Sequence, residues 1–179
     1  LGAHGLRAVR SADLAFLFPY QATLAEAGGA PRVHGRYRLL FLRARNLPVQ
    51  SVRWCAGGLR CGTRQIALEP GEQVVVATSD TPRDGRFVAR LSRSLGVRAV
   101  ECRSVAELLG LIAGSTGVVS DRYHPAICAA VLGKPAEILS NHEPHKMLGL
   151  QGLLREHDLD ALRALARAGL PVVRDALPG

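Results

Sequence analysis

The stretch "STGVVSDRYHPAICAAVLGKPAEILS", residues 115–140, carries a complete structural unit. Residues 116–121 form an apolar, β-branched run of strand length. Residues 124–133 carry helix punctuation, with Pro125 at the first turn and Gly133 at the far end. That placement predicts His124 as the residue capping the helix. Residues 135–141 read as a second strand. Between the first strand and the helix lies a polar seam of Ser120, Asp121, Arg122 and His124 around Tyr123. Strand, short link, helix, strand is the βαβ pattern, and it implies parallel strands joined by right-handed crossovers.

The pattern extends upstream. Residues 73–80, "QVVVATSD", read as a strand buried on both faces. Residues 81–96 read as a helix, with Pro82 near its start, Gly96 at its end, and Phe87, Val88, Leu91 and Leu95 on one face. Residues 97–102 read as a strand. Residues 104–115 read as a helix opened by a capping box, Ser104 with Glu107 three positions on. Residues 36–44 make a further strand. Two amphipathic helices, 145–157 and 159–169, follow the quoted unit. The glycines and Pro70 of 51–73 argue for loop or short β pieces without a clear period. The expected fold is α/β, a Rossmann-like parallel sheet flanked by helices.

Composition narrows the class. The chain has 179 residues, 47% of them apolar and 4% aromatic, so its core is aliphatic. No apolar run reaches membrane-spanning length. The net charge is +8, carried by arginine apart from Lys134 and Lys146, which favours anionic partners. The arginines are scattered, and most read as solvated surface. Nucleic acid is not an expected partner, because aromatic side chains interleaved for base stacking are missing. None of Cys55, Cys61, Cys102 and Cys128 has CxxC spacing, so no metal site is expected. Cys102 and Cys128 read as small buried apolar residues. Cys55 and Cys61 flank a glycine-rich stretch and can approach each other, but nothing points to a disulfide-forming compartment. Neither GxGxxG nor GxxxxGK[ST] occurs.

The seam lies where α/β sheets bind ligands, at a strand's carboxyl end and a helix start. Arg122 supplies a planar cation suited to carboxylate or phosphate. His124 supplies a group that exchanges a proton near neutral pH. Together they suit a small polyanion that is to be protonated. Asp121 either orients one of them or is an ordinary turn residue.

These residues also carry a resemblance. Ser120-x-Arg122-x-His124, then Gly133-x-Pro135, then Lys146 with Leu148, Gly149 and Leu150, is similar to the C-terminal signature of the polysaccharide pyruvyl transferase family. "SADLAFLF" (11–18) resembles the segment joining that family's two domains, and "VVVATSD" (74–80) its strand ending in Asp. The likeness is weakest over 46–72, where the family pattern implies a helix. The resemblance implies the C-terminal half of a glycosyltransferase-B-like architecture. Residues 1–35 would then be an interdomain remnant and 36–179 the Rossmann-like domain; with no initiator Met at Leu1, the expectation is either a piece of a longer chain or a degenerate member without the other half.

The implied reaction transfers the enolpyruvyl-derived group of phosphoenolpyruvate to a sugar of a polysaccharide or lipid-linked precursor, without a cofactor. His124 would be the catalytic acid. Arg122, Ser120, Lys146, Asp121 and His142 would hold substrate, with His145 beside them. A bacterial, cytoplasmic enzyme is expected, with room for peripheral association with a membrane-linked glycan. The competing reading is the donor domain of a nucleotide-sugar glycosyltransferase, which needs a ribose-binding carboxylate; Glu137, inside a strand, suits that role poorly.

Overall fold

The computed structural model describes residues 12–20, 22–23, 33–139 and 144–176. Five parallel strands form the main sheet: β1 (Tyr37–Phe41), β5 (Gln73–Thr78), β6 (Arg98–Glu101), β7 (Gly117–Ser120) and β8 (Ala136–Ile138). Their spatial order is β6-β5-β1-β7-β8. The chain runs outward from β1 through β5 to β6, then returns to the other side of β1 for β7 and β8. That reversal is the doubly wound, Rossmann-like arrangement, with its switch point between β1 and β7.

Alternation along each strand builds two cores. Leu40, Val74, Val76 and Val119 face one way and meet Phe87, Val88, Leu91 and Leu95 of helix α1 (Thr81–Leu95). These are the apolar positions read from the sequence. Leu39, Phe41, Val75 and Val118 face the other way. They are covered by α2 (Val105–Gly114), α3 (Tyr123–Val131), α4 (Pro144–Glu156) and α5 (Leu159–Ala176). The segment "DLAFLF" joins this second core. Leu14–Leu17 form a 3-10 turn that Asp13 caps through the Ala15 N–H, and Phe16 and Tyr20 are buried.

The link from β1 to β5 differs from the helix the family pattern implies. It is a three-stranded antiparallel meander of β2 (Val52–Cys55), β3 (Gly58–Cys61) and β4 (Arg64–Ala67). Gly57 and Gly62 turn its hairpins with φ of 76° and 61°, a region where side chains are strained. Val52, Leu59 and Ile66 point inward and share the α1 core. Each strand is four residues long, too short for its period to stand out. All four cysteines are free thiols; Cys102 and Cys128 are buried, as expected of small apolar residues.

The capping box at α2 is present in altered form. Ser104 Oγ accepts from the Glu107 N–H at 3.1 Å, and the Glu107 carboxylate accepts from the Arg103 N–H. At the amino end of the sheet, Glu72 is buried and ion-paired to Arg38 at 3.0 Å, with the Thr116 hydroxyl donating to it. Burial opposes its ionisation, but the Thr116, Glu69 N–H and Arg38 bonds outweigh burial and hold its pKa below the ordinary value. Among the described residues no helix is long and apolar enough to cross a membrane.

Candidate active site

The switch point between β1 and β7 places the seam. Phe41 and Ser120 are register partners at the ends of these strands, and the Asp121 N–H donates to the Phe41 carbonyl at 3.1 Å. The backbone then turns into α3. The helix starts two residues earlier than the Pro125 signal implies, so His124 is not its cap. Arg122 is the N-cap residue, and Tyr123 and His124 lie in the first turn. The reason is Ser120. Its fully buried Oγ accepts from the Arg122 N–H at 2.9 Å and donates to the Arg122 carbonyl at 2.9 Å. This closes a tight turn before the helix, in the manner of a serine-capped bend. Ser120 therefore shapes the loop and does not line the cavity beside it.

Asp121 orients neither Arg122 nor His124. Its two carboxylate oxygens accept from the Arg43 N–H at 3.1 and 3.0 Å, which ties the loop leaving β1 to the loop leaving β7. Burial pushes the Asp121 pKa up from 3.8 to about 6, against the opposing bonds from Arg43 and Asn46. A folded-state value above the unfolded one means the protonated form is favoured by folding. Its stabilisation is complete below about pH 4 and is lost as pH rises through 6, worth about 3 kcal/mol. Asp121→Asn should flatten the stability profile between pH 4 and 6.5. Urea midpoints of both proteins across that range check this, since Glu72 and other carboxylates contribute equally to each.

Arg122 is half-buried. Its guanidinium pairs with Asp84, a buried carboxylate in the first turn of α1, and lies 3.8 Å from Asp80. Burial first, then the Arg43 charge, draw its pKa down, and Asp80 opposes them. A guanidinium stays protonated in proteins nonetheless. Lys146, at the start of α4, is exposed and holds its Nζ 4.4 Å above the centre of the Tyr123 ring, a cation–π contact. Tyr123 also meets His124 edge to face, with ring centres 5.9 Å apart.

A cavity of about 120 Å³ opens at this point, lined by Arg43, Asp121, Arg122, Tyr123, His124 and Lys146 among others. It adjoins a wider groove of about 490 Å³ bordered by Arg43, Arg45, Asp80, Arg83, Asp84 and Arg122. The structure thus gathers Asp121, Arg122, His124 and Lys146 from two separate stretches of sequence. His142 lies outside the described residues, and so does the side chain of His145. Glu137 sits in β8 and borders a different cavity, 4.0 Å from Arg64.

Sequence reading missed Arg43, Asp80 and Asp84. Arg43 and Asp80 each lie two residues past the end of a strand, β1 and β5, so both sit at carboxyl edges where ligand-binding residues gather. Asp84 was an acid in the first turn of a helix, which the macrodipole alone would account for. Among the described residues no cluster of potential metal ligands occurs.

No curated protein and no solved structure matches the chain. The family model for polysaccharide pyruvyl transferase matches residues 2–143, which takes in the whole parallel sheet and the seam but stops short of Lys146, and the chain belongs to that family of transferases.

Proposed function

We propose that this chain binds phosphoenolpyruvate in the 120 Å³ cavity and supplies the donor side of pyruvate ketal formation on a sugar of a polysaccharide or lipid-linked precursor. One observation carries the reading. Three cationic side chains and an exposed histidine, Arg43, Arg122, Lys146 and His124, surround a cavity sized for a small dianion at the switch point of a parallel sheet. Residues 36–179 would then be one wall of a two-domain cleft of the glycosyltransferase-B kind, in a cytoplasmic enzyme.

In this reading Arg122, Arg43 and Lys146 hold the carboxylate and phosphate, and His124 is the general acid. His124 gives its proton to the C3 methylene while a sugar hydroxyl oxygen bonds to C2. The C2–O bond to phosphate then breaks, the phosphate leaves with the electron pair, and a second hydroxyl of the same sugar bonds to C2. Of the two hydroxyl protons released, one restores His124 and the other departs with the phosphate. No cofactor is needed. Asp121 acts from behind by fixing the Arg43 backbone.

Calorimetric titration with phosphoenolpyruvate tests the reading. The chain should bind it, and His124→Gln should keep that affinity within about threefold while removing the proton donor, so that C3 of bound phosphoenolpyruvate is no longer protonated in deuterated buffer. Binding of a nucleotide-sugar but not of phosphoenolpyruvate would overturn it in favour of a glycosyltransferase donor domain.

A further inference from the structure

We propose that the outward face of α1 is a track for an anionic glycan chain, the extended acceptor of the reaction proposed above, on which the inference rests. The sequence of α1, TPRDGRFVARLSRSL, has arginines at 83, 86, 90 and 93. Steps of three, four and three residues put all four on one stripe of the helix. All four are exposed, while Phe87, Val88, Leu91 and Leu95 occupy the buried side. The single acid of α1, Asp84, is turned inward onto Arg122; Arg83 lies 3.8 Å from Asp80 at the helix cap, and Arg86, Arg90 and Arg93 have no acid on the outward face of their own helix. Like charges three and four apart repel, and a surface without a binding role mixes its signs.

The ladder is about 15 Å long at the rise of an α-helix. It also has a direction. Arg83, its first rung, borders the 490 Å³ groove, and that groove shares Arg43 and Arg122 with the small cavity. Arg43, Arg122 and Arg83 therefore link the candidate donor cavity to the helix through the groove, with Asp80 and Asp84 as the acids on its border. A linear polyanion fits this layout. A membrane surface fits it less well, because the exposed neighbours of the arginines on α1 include Ala89 and Ser94 and no large apolar side chain that would insert between lipids. Nucleic acid would require stacking aromatics, and the exposed face of α1 has none.

The test uses an alginate hexamer as the anionic glycan, a dextran hexamer as the neutral one, and vesicles containing phosphatidylglycerol. The protein should bind the alginate hexamer, with affinity falling as salt rises, and should ignore the dextran. The triple variant Arg86→Gln, Arg90→Gln, Arg93→Gln should bind alginate about tenfold more weakly, with its phosphoenolpyruvate titration unchanged. Arg90→Gln alone, expected to weaken it about twofold, guards against misfolding of the triple variant. Equal binding of alginate and dextran overturns the track. So does a triple variant that binds alginate like the parent, or capture by vesicles without alginate binding. Arginine-dependent alginate binding by a protein that ignores phosphoenolpyruvate would support the track and overturn the donor reading.

Discussion

Arg122→Ala is expected to lower the stability of the domain by about 3 kcal/mol and to abolish measurable binding of phosphoenolpyruvate. The two losses have different causes. Asp84 is buried and faces the Arg122 guanidinium, so removing that cation leaves a carboxylate without its counter-charge away from water. Breaking a buried pair from one side costs more than the pair contributes, because the remaining charge keeps its desolvation penalty. The binding loss comes from the guanidinium's place on the wall of both cavities. The double variant Arg122→Ala, Asp84→Asn separates them. Neutralising residue 84 should restore most of the stability in urea denaturation and none of the affinity in calorimetry. If binding returns with stability, Arg122 is a structural residue and the donor site lies elsewhere.

Phe16→Ala should cost about 3 kcal/mol and lower the thermal midpoint in one cooperative transition. Phe16 is fully buried in the core that α2, α3, α4 and α5 form on one face of the sheet. The effect decides what the segment around "DLAFLF" is. As an interdomain strap lying loosely on the surface, it would lose its phenylalanine at almost no cost. As part of the folding unit, it leaves a phenyl-sized hole that the close-packed neighbours fill only in part. Chemical denaturation of the two proteins side by side gives the answer, and a change under about 0.5 kcal/mol would contradict the packing described above.

The legibility of this chain varied with the range over which each signal acts. Helix α1 could be read because Phe87, Val88, Leu91 and Leu95 repeat at the period of the helix, and Pro82 and Gly96 mark its ends. Strands β5 and β7 could be read because a strand buried on both faces is a continuous apolar run. The meander could be read only as loop or short β pieces, since four-residue strands buried on one side leave only two or three apolar positions each among the glycines. Pro125 places the start of α3 two residues too late because it is a local signal, and the Ser120 hydroxyl outweighs it by closing the preceding turn. The arginines of α1 stand in the sequence at steps of three and four away from its apolar face, but only the tertiary structure sets the first of them, Arg83, at the groove beside Arg122.

The sequence by itself determined the alternation of strand and helix, the aliphatic double core, and the presence of Arg122 and His124 at a strand-to-helix seam. These follow from periodicity, punctuation and neighbours within a few residues. Only the tertiary structure decided which strand lies beside β7. That placement makes the seam a switch point, brings Arg43 and Lys146 to His124, and sets Asp84 against Arg122. The physical reason is that strand order and side-chain pairing across tens of residues are settled by packing of the whole sheet, and no local pattern records them.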